Sequence, residues 1–244
     1  DLARKHRVAP DSLADHRDAL ARELESLADA DERLQRIERD IAQAHAGWTT
    51  AAAALTVSRR RAGDALSKAV ATLIAELGMA GGRLEVALEA GDSEIPDQHG
   101  AERVDFLVSA NAGQPPRPLR KVASGGELSR ISLAIEVATL GLDAVPTMVF
   151  DEVDSGIGGA AVGAKLRALG APRQVLCVTH QPQVAASGHA QYRVSKAAAD
   201  GMTQSSVVLL DAEGRIGEIA RMLGGAEVTD EARAAAKRLL TENL

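Results

Sequence analysis

Two adjacent carboxylates, Asp151 and Glu152, are the residues of this chain best suited to catalysis. They directly follow an apolar run, residues 147–150, which has the composition of a buried strand. Ligands of open α/β sheets bind beyond the carboxyl ends of such strands. A carboxylate in that place can hold Mg²⁺, usually through water, and a second can orient or deprotonate an attacking water. The same pair is also compatible with a helix N-cap or an acidic surface turn.

A second group of residues is suited to binding phosphate. Ser124, Gly125 and Gly126 form a small turn before an apolar-periodic helix, and Lys121 lies three residues upstream. Free N–H groups at a helix N-terminus bind anions, and Lys121 adds a cation of the right sign. Ser124 and Glu127 also satisfy the Ser-x-x-Glu pattern of a capping box, which requires no ligand. The pattern therefore predicts a helix start here, with or without bound phosphate.

His180 follows a second apolar run, residues 174–179, which we expect to be a strand ending at this histidine. Parallel strands bring their carboxyl ends to one edge of a sheet, so His180 is predicted to lie near Asp151. A neutral imidazole there could contact a terminal phosphate or the attacking water. The alternative is a purely structural histidine. Cys177, in the same run, is predicted to be a buried, unreactive thiol.

The composition limits the functions open to this chain. Its net charge is −6 and only 2% of its residues are aromatic, which argues against nucleic-acid binding by bulk charge or base stacking. A single cysteine rules out a disulfide framework and a multi-cysteine zinc site. No stretch approaches the roughly 18 apolar residues of a membrane span, and residues 1–10 lack the apolar core of a signal peptide. We therefore expect a cytoplasmic protein without a membrane partner.

An apolar or small residue at every seventh position predicts one long coiled-coil helix within residues 1–78, which begins after Pro10 with Asp11 or Ser12 as its cap. The repeat passes through Gly47 without a change of phase, which favours one helix over a hairpin. Its seam requires a partner helix, in an N-terminal part of the protein or in another chain; the alternative is a solvated helix packed on its own domain. The repeat positions are Leu13, Leu20, Leu27, Leu34, Ile41, Trp48, Leu55, Ala62 and Ala69.

Residues 79–244 alternate short apolar strands with helices, which is typical of an α/β domain with a largely parallel sheet. A G-x-G-x-x-A sequence begins at Gly156, between a predicted strand and a helix, as in dinucleotide-binding folds. Three acidic residues directly before it would repel a pyrophosphate, and residues 171–181 lack the expected acidic partner. These features argue against dinucleotide binding. Further strands are predicted at 83–89, 104–109, 192–196 and 205–210, and helices at 216–223 and 230–240.

Together the motifs resemble the C-terminal half of an ABC-type ATPase head. Longer segments, KVASGGELSRISLAIE, TMVFDEVDSGIGG and CVTHQPQVAA, closely resemble the RecN family of bacterial SMC-like ATPases, which repair DNA double-strand breaks. The individual resemblances are Ser124-Gly125-Gly126-Glu127 to the signature motif, Val149-Phe150-Asp151-Glu152 to Walker B, Asp154-Ser155-Gly156 to the D-loop, and His180 to the switch histidine.

The resemblance implies an ATP hydrolase that requires ATP and Mg²⁺ and whose site is completed between two heads. Asp151 would help to hold Mg²⁺, Glu152 would act on the attacking water, and His180 would sense the γ-phosphate. The signature motif would bind ATP held by the other head of a homodimer. Binding and hydrolysis would couple to the tethering of DNA ends at the bacterial nucleoid.

The chain departs from the family pattern in one respect, because it contains no G-x-x-x-x-G-K-[ST] phosphate loop (Walker A). In the family that loop lies in an N-terminal half, together with the opposing coil helix. We therefore expect a C-terminal fragment, with residues 1–78 as a coiled-coil arm and 79–244 as the C-terminal lobe of a head. Its first partner would be the N-terminal half of the same protein. Two other hypotheses are a coiled-coil scaffold or dimerisation module with a non-hydrolysing head, and a direct DNA-binding module.

Overall fold

The computed structural model describes residues 2–91, 95–122, 124–142, 145–156, 158–199, 202–225 and 227–242. The chain divides into two compact units, one made of residues 1–58 and 90–103 and the other of residues 59–89 and 104–244. Within the described part of the chain, no helix is both long and apolar enough to cross a membrane. All the residues predicted to form the site belong to the second unit.

Helices and strands alternate as predicted, which confirms the α/β class. Short 3₁₀ turns lie at Pro10–Ser12 and Leu119–Lys121. In chain order the elements are α1 (Leu2–His6), α2 (Leu13–Glu76), β1 (Arg83–Ala90), β2 (Glu102–Ser109), β3 (Arg117–Pro118), α3 (Gly125–Ala138), β4 (Thr147–Phe150), α4 (Gly159–Leu169), β5 (Gln174–Cys177), α5 (Pro182–Ser187), β6 (Tyr192–Ala199), β7 (Met202–Leu209), α6 (Ala212–Gly224) and α7 (Asp230–Glu242).

Helix α2 is 64 residues long and passes through Gly47 without interruption, as predicted. In the first unit its apolar seam is exposed to solvent; Leu27 is 62% exposed and Ile41 63%. The segment after β1 is attached to the helix there, because Trp48 Nε1 donates a hydrogen bond of 2.8 Å to the Asp97 carbonyl. The exposed seam fits a helix that requires a partner.

In the second unit α2 buries a different face from the one that the seven-residue repeat predicts. Ala62 and Ala69 are exposed, whereas Gly63, Val70 and Ile74 are buried. A straight helix drifts by about 20° per heptad relative to a strict seven-residue repeat, so the face changes along its length. Val70 and Ile74 also offer more apolar area than alanine, and their burial decides which face packs.

Among the described strand pairs, parallel pairing is limited to β4 with β5. β3 pairs antiparallel with β2, and β7 pairs antiparallel with β6. β5 ends at Cys177 rather than at residue 179, because its partner β4 ends at Phe150, which pairs with Cys177. The prediction of one mostly parallel sheet is thus corrected to one parallel pair with separate antiparallel strands.

The β4–β5 pair is covered on one face only, although the composition of residues 147–150 predicted a buried strand. Phe150 is 7% exposed and packs in the core, whereas Val149 is 67% and Leu176 44% exposed. The main core joins residues of α2, β1, β2, α3, β4, α4 and α5, and its largest fully buried members are Val70, Ile74, Leu77, Ile131, Leu133, Val153, Val162 and Leu169. A second cluster joins α5, α6 and α7 through Ala186, Ile219, Ala220 and Ala236.

Gly163 sets the distance between α4 and α5, and its replacement by alanine should destabilise the fold. A Cβ atom there would lie 3.0 Å from Ser187 Cβ and 3.2 Å from the Gln183 carbonyl oxygen. We expect Gly163→Ala to lower the free energy of unfolding by about 1–3 kcal/mol. The matched control is Gly217→Ala in α6, where no atom lies within 4 Å, and which should stabilise by about 0.5–1 kcal/mol. Urea unfolding followed by circular dichroism measures both; equal effects would contradict the helix contact.

Candidate functional site

The acidic turn, residues 151–156, follows β4 at the carboxyl end of the parallel pair. Asp151 and Glu152 are exposed, whereas Val153 and Asp154 are buried at 0% and 1% exposure. Glu152 has a φ angle of 56°, in the left-handed region. That conformation costs a non-glycine residue about 1–2 kcal/mol. Such strain is concentrated at functional turns, and here it accompanies two carboxylates held out to solvent.

The glycine turn, residues 124–126, begins α3 as the sequence predicts. The Ser124 hydroxyl accepts a hydrogen bond of 3.4 Å from the Glu127 N–H, which caps the helix. Ser124 and Gly125 are exposed, so the helix N-terminus is open to solvent on that side. Capping and phosphate binding are both compatible with this geometry, because one hydroxyl satisfies only one of the free N–H groups.

The glycine turn lies directly against the acidic turn. A Cβ atom on Gly125 would be 3.1 Å from Glu152 Oε2. A Cβ atom on Gly126 would be 3.2 Å from Ser155 Cβ and 3.3 Å from the Glu152 carbonyl oxygen. A Cβ atom on Gly126 would thus be tight against the acidic turn, whereas one on Gly125 would meet only the flexible end of the exposed Glu152 side chain.

Two side chains of α3 hold the acidic turn in place. The Ser129 hydroxyl donates to the Asp151 carbonyl at 2.8 Å, and an Arg130 guanidinium N–H donates to the Ser155 carbonyl at 2.6 Å. Arg130 is only 8% exposed. The first two turns of α3 and the acidic turn are therefore one connected structure.

His180 lies in a segment that is also attached to the acidic turn. The Thr179 hydroxyl donates to the Asp154 carboxylate, and Gln181 Nε2 donates to the Asp154 carbonyl at 2.5 Å. The His180 side chain is exposed between these two anchored neighbours. β4 and β5 end in register, so His180 and Asp151 follow the same edge of the pair, as predicted.

The predicted site residues differ in their exposure to solvent. Asp151, Glu152 and His180 are exposed side chains around one edge, whereas Asp154 of the predicted D-loop is buried and bonded. Gly156 has a φ angle of 76° with no atom near its Cα hydrogen position. Among the residues that the structure describes, no three His, Cys, Asp or Glu side chains form a group that could hold a metal. Exposed Asp151 oxygen atoms nevertheless suit Mg²⁺, which keeps several of its water ligands.

Sequence motifs did not single out Ser129, Arg130 or Gln181. The spacing of Ser129 and Arg130 could have indicated their role, because they lie four residues after Gly125 and Gly126 and therefore on the same side of α3. No comparable spacing marks Gln181, because its contact crosses from one loop to another.

Cys177 is half-buried at the end of β5, next to the predicted site. Burial, followed by the negative charges of Asp154 and Asp151, raises the pKa of its thiol to about 12. The thiol therefore stays protonated at neutral pH, which agrees with the predicted unreactive cysteine.

The thiol of Cys177 should alkylate very slowly at mildly alkaline pH. A thiolate is the reactive species, so a pKa of about 12 leaves little of it at pH 8.5, and iodoacetamide should react at least about 100-fold more slowly than with an ordinary thiol. The rate should rise as pH approaches the raised pKa. The same chain unfolded in urea is the control, and equal rates in the folded and unfolded chain would contradict the raised pKa.

Comparison with known proteins identifies relatives of the chain. No protein-family model matches it. The DNA repair protein RecN of Xylella fastidiosa (strain Temecula1) is 59% identical over 99% of this chain and 44% of that protein. RecN of Vibrio cholerae is 43% identical over 98% of this chain and 44% of that protein. The chain thus spans less than half the length of these curated relatives.

Solved SMC head domains are also similar, at TM-scores below 0.5. One, with a coiled coil and joint, from Pyrococcus yayanosii, has a TM-score of 0.46 and 24% identity over 64% of this chain and 28% of that one. Another, with an extended coiled coil and bound to the C-terminal domain of ScpA, from Pyrococcus furiosus, has a TM-score of 0.44 and 22% identity over 66% and 39%. The sequence matches, which cover nearly the whole chain, show that it is homologous to RecN proteins and are consistent with the C-terminal half of such a protein.

Proposed function

We propose that this chain supplies the C-terminal half of an SMC-like ATPase head in a bacterial DNA repair protein. The observation that carries the proposal is the contact between the glycine turn and the acidic turn, at the carboxyl end of a parallel strand pair. The curated relatives, which are DNA repair proteins, support the biological role. ATP hydrolysis between two heads would then serve the tethering of DNA ends in recombination and repair.

The exposed carboxylates and the histidine would divide the chemistry between them. Asp151 offers oxygen ligands to Mg²⁺, which supplies charge neutralisation for the phosphates when bound. Glu152, held out by its left-handed backbone, orients the attacking water and accepts its proton. His180, on the same edge, donates a hydrogen bond to the γ-phosphate.

The glycine turn would act on a different nucleotide from the acidic turn. Ser124, Gly125, Gly126 and Glu127 resemble the signature motif, which in ABC-type heads faces ATP held by the other head. We assign these four residues to ATP bound by the other head, which makes the active form a homodimer.

The N-terminal half of the same protein is the proposed first partner. The exposed face of β4–β5 is apolar, with Val149 67%, Leu176 44% and Val178 62% exposed. A further strand or helix over this face would bury them, and that half would also carry the phosphate loop and the opposing coil helix. In this arrangement residues 1–78 are the arm and 79–244 the lobe of the head, in a nucleoid-associated cytoplasmic protein.

Glu152→Gln in the full-length protein should abolish most ATP turnover. An amide cannot accept the proton of the attacking water, so kcat should fall by about 100-fold or more. ATP binding and ATP-dependent dimerisation should persist, since the side chain keeps its size. Glu227→Gln, at an exposed glutamate outside the site, is the matched control. Steady-state hydrolysis and nucleotide titration measure both variants; unchanged hydrolysis in Glu152→Gln would contradict the role of this residue.

A coiled-coil scaffold is the second candidate, because the seam of α2 is exposed, with Leu24 at 70% and Ile41 at 63%. A scaffold would associate through the coil whether or not nucleotide is present. Sedimentation of the full-length protein with and without ATP separates the two functions. Dimers that form only with ATP support the ATPase, and nucleotide-independent dimers with no hydrolysis support the scaffold.

A further inference from the structure

We propose that Asp154 is a positioning residue, which holds His180 at the catalytic edge through Thr179 and Gln181. The inference rests on the proposed ATPase function and adds a role that none of the sequence motifs assigns. Asp154 itself is 1% exposed, so it is not available to nucleotide or metal in this arrangement. Its task is to fix the residues on either side of the histidine.

Both neighbours of His180 bond to the same aspartate. The Thr179 hydroxyl donates to the Asp154 carboxylate, and the Gln181 side-chain amide donates to the Asp154 carbonyl at 2.5 Å. A charged acceptor makes the first of these bonds stronger than a bond between neutral groups. The histidine backbone is thus held at two points while its imidazole projects into solvent.

The segment that carries His180 is also braced internally. The Gln181 N–H donates to the Thr179 hydroxyl oxygen at 2.9 Å, which closes a tight turn around the histidine. Gln181 is confined from the other side by the start of α4, since a Cβ atom on Gly159 would lie 2.5 Å from Gln181 Oε1. A side chain that must contact a phosphate needs rigid support of this kind.

The buried Asp154 carboxylate accepts a hydrogen bond from the Thr179 hydroxyl. Burying a charge is unfavourable unless it is hydrogen-bonded, and apolar residues would fill the same space at lower cost. The benefit of Asp154 is geometric, because it joins the acidic turn to the histidine segment. The neighbouring Ser155 carbonyl accepts from Arg130 of α3, so the glycine turn, the acidic turn and His180 share one framework.

The test uses the full-length protein with Thr179→Val, which removes the hydroxyl at nearly constant shape, and Thr179→Ser, which keeps it. We expect Thr179→Val to lower kcat about 10- to 100-fold, as for other residues that orient a catalytic group. KM for ATP and ATP-dependent dimerisation should stay within about threefold of wild type, and Thr179→Ser should restore kcat to a similar range. Thr72→Val, at an exposed threonine of α2, is the control.

A double-mutant cycle separates positioning from a general structural effect. If Thr179 acts through His180, then Thr179→Val should cause no further loss of kcat in a His180→Ala background. Additive losses would overturn the proposal. Should Thr179→Val fail to fold, Gln181→Met, which lacks the amide donor, takes its place in the same cycle. Unfolding of all these variants, Thr179→Ser included, would make the network purely structural and would also overturn it.

Failure of the positioning role and failure of the ATPase function give different results. Wild-type hydrolysis that is lost in Glu152→Gln establishes the function first. Normal kcat in Thr179→Val would then reject the positioning role alone. Absence of hydrolysis in the wild type, with ATP bound and two heads joined, would reject the ATPase function itself.

Discussion

The close contact between the glycine turn and the acidic turn is the constraint on which the site depends. Gly126 allows the start of α3 to approach Ser155 and Glu152 closely, because a Cβ atom there would lie 3.2 Å from Ser155 Cβ and 3.3 Å from the Glu152 carbonyl oxygen. Hydrogen bonds from Ser129 and Arg130 then fix the carbonyls of the acidic turn. Every exposed group of the candidate site is attached, directly or through Asp154, to this contact.

The core explains why the contact is rigid. Ile131 and Leu133 of α3 and Val153 of the acidic turn are fully buried, so neither element can move without disturbing close-packed apolar side chains. The site therefore combines a rigid base with exposed functional side chains. The apolar face of β4–β5 lies outside this base, where Val149 and Leu176 remain in solvent. An arrangement of this kind suits a half-domain that completes its fold with another segment.

Local features of the site could be predicted from the sequence, because they depend on residues close together in the chain. The Ser124 cap, the start of α3, strand β4 and the continuity of α2 through Gly47 all follow from short patterns. Spacing on a helix would also have pointed to Arg130. Such patterns reflect local backbone preference and the spacing of apolar residues along the chain, and both are retained in the folded structure.

Features that depend on distant partners could not be predicted. Apolar runs predict more parallel pairing than the structure has, since they do not specify which strand lies beside which. The buried face of α2 near Val70 is determined by the elements that pack on it, so the seven-residue repeat predicts the wrong face there. Asp154 was expected in the D-loop with the other polar residues, and its burial follows from contacts with Thr179 and Gln181 across two loops.

The central claim is that the glycine turn and the acidic turn serve different nucleotides in a two-head dimer. Mixing two inactive full-length variants tests it most directly. Ser124→Asp keeps a good helix cap but places a negative charge where the γ-phosphate of the other head should bind. Glu152→Gln has an intact glycine turn and a defective acidic turn. Random dimers of the two contain one intact composite site in every mixed pair, so hydrolysis should recover to about a quarter of the wild-type rate. A mixture that stays as inactive as its separate components would contradict the account.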